Sequence, residues 1–225
     1  MSPLAWQALV LAKAPVPGRV KTRLCPPLSP EEAADLAAAA LADTMVAVGR
    51  SSARRRVLVV DGDPTGVVPP GCDHLSQRPG DLGARLAGAF EDAYATSPLP
   101  MVLVGMDTPQ LTPHLLEEAA AALASGGTDA VVGPAADGGF WLLGLRQPVP
   151  GLFDGVPMSR ATTGEALSGR LAHLGLRWRV GPVRRDVDEL DDAVAVAHVA
   201  PDTQFAAAFA AIRSRHVAGV GAFDE

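Results

Sequence analysis

The feature that most constrains the fold is the alternation of short apolar runs with helix-forming segments along the chain. Residues 6–12, residues 56–60 and the run that begins at Met101 are apolar throughout or nearly so, and each has the length of a strand. Strands that are apolar on both faces are typical of a parallel sheet covered by helices. The alternation therefore predicts an α/β fold with a mostly parallel twisted sheet and helices on both faces.

Helix signals separate these runs. Ser29, Pro30 and Glu32 form a capping-box pattern ahead of an Ala-rich segment, which predicts a helix reaching residue 48. The same reasoning predicts further helices at 86–93, 113–125, 158–174, after 186–192, and at 201–215. It predicts further strands at 74–77, 130–132, 141–145 and 176–183. With no internal repeat or linker, we expect one domain over residues 1–218 and a flexible tail at 219–225.

Composition excludes several classes of protein. The formal net charge of −6 argues against general nucleic-acid binding, which requires a positive surface. No apolar run approaches the ~18 residues that a membrane span needs, and the N-terminus lacks a leader pattern, so we expect a cytoplasmic protein without a membrane partner. Cys25 and Cys72 are too few for a disulfide framework or a metal knuckle. A homodimer remains open.

A basic loop follows the first apolar run. Lys13, Arg19, Lys21 and Arg23 are interspersed there with prolines and with Gly18, in an otherwise acidic chain. A loop between a buried strand and a well-capped helix is a common position for phosphate groups, and the four positive charges would neutralise a triphosphate. Gly18 would let the backbone approach such a ligand closely. The alternative is a solvated basic loop.

Carboxylates end two other segments. Asp107 stands at the tip of the strand that begins at Met101, and Asp186 and Asp188 follow a strand-like run. Ligands of open α/β sheets lie outside the carboxyl ends of the strands, so these side chains could share Mg²⁺ or Mn²⁺ with substrate phosphates. Alternatively, Asp107 caps a turn before Thr-Pro, and the later pair starts a helix.

Two glycine-containing turns are also candidates. Asp81 and Gly83 precede a helix and could lie against a nucleoside, although Asp81 would serve equally well as an N-cap. The stretch at 137–139, Asp-Gly-Gly, permits close approach of a ligand, but its composition by itself favours a hairpin turn between two strands.

Taken in order, five stretches resemble the motifs of the DUF2064 family: residues 13–24, 80–83, 105–109, 133–140 and 186–188. That family comprises glycosyltransferase-like or nucleotidyltransferase-like proteins of the GT-A fold. It is similar to the 2-phospho-lactate guanylyltransferases and to the molybdenum-cofactor guanylyltransferases. The resemblance covers nearly the whole chain, and it implies a single-domain GT-A (nucleotide-diphospho-sugar transferase) fold.

The resemblance also implies roles for individual residues. Those implied to act in catalysis are Lys21, Arg23 and Asp107. Those implied to bind the nucleotide are Lys13, Gly18, Arg19, Asp81 and Gly83. Those implied to border the acceptor are Asp137, Gly138 and Gly139. The implied metal ligands, for Mg²⁺ or Mn²⁺, are Asp107, Asp188 and Asp186, with Asp188 ahead of Asp186.

Three functional hypotheses follow. The favoured one is a metal-dependent nucleotidyltransferase that transfers a nucleoside monophosphate to a small phosphorylated or acidic acceptor, because a triphosphate brings the most charge for the basic loop to neutralise. The second is a glycosyltransferase that uses a nucleotide-sugar and a small-molecule acceptor. The third is a nucleotide-binding regulatory module without catalysis.

Overall fold

A computed structural model of the chain describes residues 5–220. Within that range, seven strands form one sheet: β1 (Gln7–Lys13), β2 (Arg55–Asp61), β3 (Asp73–Ser76), β4 (Met101–Gly105), β5 (Ala130–Pro134), β6 (Phe140–Leu145) and β7 (Trp178–Val180). The same range contains six α-helices: α1 (Pro30–Arg50), α2 (Leu82–Thr96), α3 (Pro113–Ala124), α4 (Thr163–His173), α5 (Leu190–Val199) and α6 (Gln204–Val220). None of the helices within residues 5–220 is both long enough and apolar enough to cross a membrane.

The strand order is β3-β2-β1-β4-β6-β5-β7. All neighbouring pairs are parallel except those of β6, which runs antiparallel to both β4 and β5. The chain moves outward from β1 through β2 to β3 and then returns to place β4 on the other side of β1. This reversal leaves a crevice at the carboxyl ends of β1 and β4, where ligands of open α/β sheets bind.

Both faces of the sheet are buried, as the apolar runs predicted. In β4, Val102 and Val104 belong to the core under α1 and α3, whereas Met101 and Leu103 belong to the core under α2 and α4. Successive side chains of a strand point to opposite faces, so a strand between two helical layers must be apolar at every position. The predicted α/β sheet with helices on both faces is confirmed.

The helix α1 is capped as predicted. Ser29 Oγ accepts from the backbone N–H of Glu32, and the Glu32 carboxylate accepts from the backbone N–H of Ser29. The outer side of α1 packs against α5 and α6 in a third apolar cluster that includes Leu36, Phe205 and Phe209. The extra helices therefore thicken one side of the sheet and leave the crevice open.

Several predicted boundaries were wrong, two of them in the segment 157–183. The helix predicted from residue 158 begins at Thr163, because Ser159 has a left-handed backbone (φ +56°) and Thr163 Oγ1 bonds with the Pro157 carbonyl. The strand predicted at 176–183 is confined to Trp178–Val180, since Pro182 has no N–H to pair. The tail predicted at 219–225 stays a prediction, because α6 is assigned as far as Val220 and residues 221–225 lie outside the described residues.

Candidate active site

A cavity of about 610 Å³ lies at the carboxyl ends of β1 and β4. Most of the side chains proposed from the sequence line it: Lys13, Arg19, Lys21, Arg23, Asp107, Asp137, Asp186 and Asp188. They come from segments far apart in the chain, and the strand order brings these segments to one edge of the sheet. The cavity is thus the place where the basic loop faces the carboxylates.

Gly18 lies in the basic loop but outside the lining of the cavity. A Cβ added to it would meet no atom within 4 Å. Its φ of +74° is a left-handed conformation that favours glycine. Within this structure Gly18 therefore serves the turn of the basic loop, and close approach to a ligand stays a prediction.

The Lys21 ammonium lies among oxygen atoms. Its Nζ contacts the Asp107 carboxylate and the Val187 carbonyl oxygen, and it lies 3.8 Å from Asp188 Oδ1. The Lys21 side chain is 7% exposed, whereas those of Asp107 and Asp188 are 40% and 43% exposed. Arg23 Nη1 lies 3.4 Å from the other oxygen of Asp188. The basic loop is thereby joined to both carboxylates.

Backbone hydrogen bonds hold the late carboxylates beside β4. After β7, Arg184 N–H donates to the Pro134 carbonyl and its own carbonyl accepts from Ala136 N–H, which continues the path along β5. Val187 N–H then donates to the Asp107 carbonyl at 2.9 Å. Gln110 Nε2 donates to the Arg185 carbonyl at 2.6 Å. The segment 184–188 is consequently tied to the tip of β4.

Asp186 differs from the other two carboxylates. It accepts a hydrogen bond of 2.6 Å from Thr108 Oγ1. Burial and, to a lesser extent, the negative charges of Asp107 and Asp137 raise the pKa of Asp186 to about 6, against the opposing effects of the Thr108 hydrogen bond and the Lys21 charge. The structure thus groups Asp107, Asp137, Asp186 and Asp188 around one region of the cavity.

The donor set suits a hard divalent cation. Across residues 5–220, no group of three or more His, Cys, Asp or Glu side chains is arranged to hold a metal ion. Asp107, Asp188 and the Val187 carbonyl nevertheless surround one cationic atom, Lys21 Nζ, with oxygens only. Carboxylate and carbonyl oxygens are ligands that Mg²⁺ accepts alongside substrate phosphates. The residues fit the predicted ion if Lys21 Nζ gives up this position.

Asp81 and Gly83 lie elsewhere. Both line a second depression of about 350 Å³ rather than the main cavity. Asp81 Oδ1 accepts from Ala84 N–H at 2.9 Å and caps α2, and a Cβ on Gly83 would stand 3.3 Å from that of Phe153. The N-cap alternative describes Asp81 as observed, and binding of a nucleoside by these two residues stays a prediction.

The stretch 137–139 forms the loop of a hairpin between β5 and β6. Asp137 and Gly139 line the cavity, and Asp137 Oδ1 accepts from Gly139 N–H at 2.8 Å. Gly138 does not line it. A Cβ on Gly138 would overlap the carbonyl oxygen of Ala161, and the Gly138 carbonyl accepts from Gly164 N–H at 2.8 Å. Gly138 therefore fixes the segment before α4 against the hairpin.

Several lining residues were missed by sequence reasoning. Arg160 lies on the segment that Gly138 fixes, and Thr108 holds Asp186. Arg85 Nη1 hydrogen-bonds to Gln77 Oε1 at 3.3 Å, and Gln77 Nε2 donates to the Ala12 carbonyl at 2.7 Å. The available signal was their closeness in sequence to the glycine-containing turns and to Asp107, but exposed arginines are too common for that signal to decide.

Comparisons with known proteins identify the class of this α/β fold. A solved structure from Desulfovibrio desulfuricans G20, provisionally named a nucleotide-diphospho-sugar transferase, is 26% identical, with a TM-score of 0.83, and the match covers 93% of this chain and 97% of that one. The predicted GT-A-type fold is confirmed. The family model DUF2064, described as an uncharacterized protein conserved in bacteria, matches residues 32–160, and the chain belongs to that family.

More distant structures share the fold alone. A cytidylyltransferase from Leptospira borgpetersenii serovar Hardjo-bovis (strain JB197) is 11% identical, with a TM-score of 0.55 and coverage of 95% and 96% of the two chains. The 4-diphosphocytidyl-2C-methyl-D-erythritol synthase from Anaerococcus prevotii DSM 20548 is also 11% identical, with a TM-score of 0.58 and coverage of 88% and 99%. Among curated proteins, none matches this chain.

Proposed function

We propose that this protein is a metal-dependent nucleotidyltransferase. It transfers a nucleoside monophosphate from a nucleoside triphosphate to a small phosphorylated or acidic acceptor. The observation that carries the proposal is the shared cavity, in which the four basic side chains of residues 13–23 face Asp107 and Asp188. A triphosphate fits both sets of side chains. The basic side chains would pair with its phosphates directly, and the carboxylates would bind them through a metal ion.

The basic residues would bind and orient the phosphates. Within residues 5–220, Lys13 and Arg19 form no ion pair, so both are available to the β- and γ-phosphates. Lys21 and Arg23 stand nearest the carboxylates and would neutralise the departing group. An acceptor oxygen attacks the α-phosphorus, the bond from that phosphorus to the bridging oxygen breaks, and pyrophosphate leaves with the electron pair.

The metal would be held by Asp107 and Asp188. When bound, Mg²⁺ or Mn²⁺ supplies neutralisation of phosphate charge that the side chains alone do not complete. Asp186 would act beside them, and its hydrogen bond with Thr108 orients it. This division agrees with the greater exposure of Asp107 and Asp188, whose oxygens face the cavity.

The acceptor would lie toward the hairpin loop. Asp137 and Gly139 line that side, and Arg160 adds an exposed positive charge there. A phosphate or carboxylate on the acceptor would pair with the Arg160 guanidinium, which presents a planar fork of donors. Arg160 thus supports an acidic acceptor over a neutral one.

A glycosyltransferase is the second candidate. The Desulfovibrio desulfuricans structure favours it, because that protein is 26% identical to this chain and its name refers to a nucleotide-diphospho-sugar. In this alternative a nucleotide-sugar replaces the triphosphate and a nucleoside diphosphate departs. A regulatory module that binds nucleotides without catalysis is the third alternative, and the six basic and four acidic side chains in one cavity argue against it.

A ligand panel followed by a product assay tests the proposal. The purified protein is screened by thermal shift with the four nucleoside triphosphates and with UDP-, GDP- and ADP-sugars, each with and without Mg²⁺. Stabilising triphosphates are then incubated with phosphorylated and carboxylated acceptors, and pyrophosphate is measured. We expect stabilisation by at least one triphosphate and acceptor-dependent pyrophosphate. Stabilisation by nucleotide-sugars alone would instead contradict the nucleotidyltransferase proposal and favour the glycosyltransferase.

A further inference from the structure

The place that a metal would take is held by a side chain of the protein. Lys21 Nζ contacts the Asp107 carboxylate and the Val187 carbonyl and lies 3.8 Å from Asp188 Oδ1. These are hard oxygen donors, the kind that a divalent cation would need. A lysine ammonium and a divalent ion cannot occupy the same position among these oxygens, and two cations side by side there repel each other.

The carboxylates are fixed, whereas the lysine can move. Val187 N–H is bonded to the Asp107 carbonyl, so the two segments that carry the carboxylates are joined by their backbones. The Lys21 ammonium stands at the end of a flexible four-carbon chain. Its backbone opens the short 3-10 helix Thr22–Leu24, whose buried Leu24 anchors the loop. The side chain can therefore turn without displacing the loop.

Charge balance determines which cation the carboxylates hold. Lys21 and Arg23 together neutralise Asp107 and Asp188 in the protein without ligand. A triphosphate that enters the cavity brings phosphate oxygens, and these offer the Lys21 ammonium new partners of higher charge. Once Lys21 turns toward them, the carboxylates lose their cation, and a divalent ion can replace it.

We propose that Lys21 is an internal competitor of the divalent cation, which keeps the ion out until nucleotide phosphates draw the lysine away. The metal then enters together with the nucleotide. The nucleotide step of this inference rests on the proposed function, whereas the competition between Lys21 and the metal does not. Lys21 thereby acts twice, first as a substitute for the metal and then as a phosphate ligand.

The test measures Mn²⁺ binding without nucleotide, from the electron paramagnetic resonance signal of the free ion. Wild type is compared with Lys21→Met and Lys21→Gln. Lys13→Met is the matched control, because Lys13 also lines the cavity but has no contact with Asp107. We expect the two Lys21 variants to bind Mn²⁺ at least about tenfold more tightly than wild type, and the control to change by less than about threefold.

Triphosphate binding is measured separately by calorimetry in the presence of EDTA, with the triphosphate that most stabilises wild type. We expect Lys21→Met to weaken it about tenfold. Tighter Mn²⁺ binding together with weaker triphosphate binding would show that Lys21 competes with the metal and also binds the phosphates. If Lys21 were purely structural, its replacement would weaken the binding of both ligands. Melting temperatures of both Lys21 variants show which of them is folded for comparison.

Each remaining outcome has a defined meaning. Unchanged or weaker Mn²⁺ binding in folded Lys21 variants overturns the inference. Tighter Mn²⁺ binding with unchanged triphosphate binding overturns the transfer of Lys21 to the phosphates. If no triphosphate binds wild type, the proposed function fails, and the Mn²⁺ measurement still decides the competition.

Discussion

The backbone N–H of Val187 donates a hydrogen bond of 2.9 Å to the backbone carbonyl of Asp107. This bond brings the side chains of Asp107 and Asp188 close to the same Lys21 Nζ, although the two carboxylates belong to different parts of the chain. A hydrogen bond between two backbone groups can persist when a side chain is replaced. Substitutions of the carboxylates should therefore change ligand binding far more than folding.

Asp107→Asn tests this separation. The substitution removes one negative charge from the oxygens that would hold the metal, and it should lower pyrophosphate-releasing activity by at least about 100-fold. The free energy of unfolding should fall by less than about 2 kcal/mol, because Asp188 and the Val187 carbonyl still contact Lys21. Activity and urea unfolding are measured in parallel. Asp202→Asn, an exposed site away from the cavity, is the control, and an equal loss of activity there would contradict the role of Asp107.

Arg19→Ala tests the phosphate loop. The Arg19 side chain is exposed in the cavity and has no ion pair within residues 5–220, so its loss should not affect folding. A missing charge-assisted contact should weaken triphosphate binding about tenfold. The dependence of binding on salt should also become shallower. Calorimetry at two ionic strengths measures both effects, with Arg50→Ala as a basic control outside the cavity. Equal affinity for wild type and variant would exclude Arg19 from the phosphate site.

Gly138→Ala tests the support of the acceptor side. Its Cβ would overlap the Ala161 carbonyl, and its φ is +89°, so the variant suffers both a clash and a strained backbone. The free energy of unfolding should fall by about 3 kcal/mol. Gly66→Ala is the matched control, because its φ is +77° and nothing lies within 4 Å of its Cβ. It should lose only about 1 kcal/mol. Equal losses in urea unfolding would show that the contact with Ala161 contributes nothing.

Asp186→Asn tests the raised pKa. The folded protein holds the Asp186 proton to a pKa of about 6, above the ordinary 3.8. Between these values the folded state binds more protons than the unfolded state, so stability from this group falls as pH rises and is lost fully above pH 6. The penalty at pH 8 is at most about 3 kcal/mol.

Replacement by Asn removes this ionisation and can keep the hydrogen bond from Thr108 Oγ1. The variant should therefore be more stable than wild type at pH 8 and of similar stability near pH 4. Urea unfolding at both pH values checks the sign. A variant that is less stable at pH 8 would mean that the Asp186 charge stabilises the fold.

Local patterns in the sequence were sufficient to predict most of the fold. The capping box of Ser29 and Glu32, and the apolar run of β4, act through neighbours close in the chain or through burial on both faces. Such effects depend on the residues themselves and only weakly on their distant partners. The family resemblance likewise indicated the GT-A class, which the structural comparison confirms.

Exceptions arose where the local pattern was compatible with two structures and the backbone conformation selected one of them. Asp81 was compatible with both a cap and a nucleoside ligand, and only the hydrogen bond to Ala84 N–H identified the cap. The helix expected from Met158 begins later, because Ser159 turns and Thr163 bonds with Pro157. The spacing of residues along the chain did not decide between the alternatives at either place.

The sequence by itself determined the alternating elements, the capped helix α1, and the presence of a basic loop and strand-end carboxylates. Only the tertiary structure decided that Asp107 and Asp188 meet at Lys21, because their meeting depends on the reversal of strand order between β1 and β4 and on the Val187 bond. The pKa of Asp186 was also decided there, since burial and neighbouring charges are properties of the folded chain. Charges that are distant in sequence interact only after the sheet has assembled.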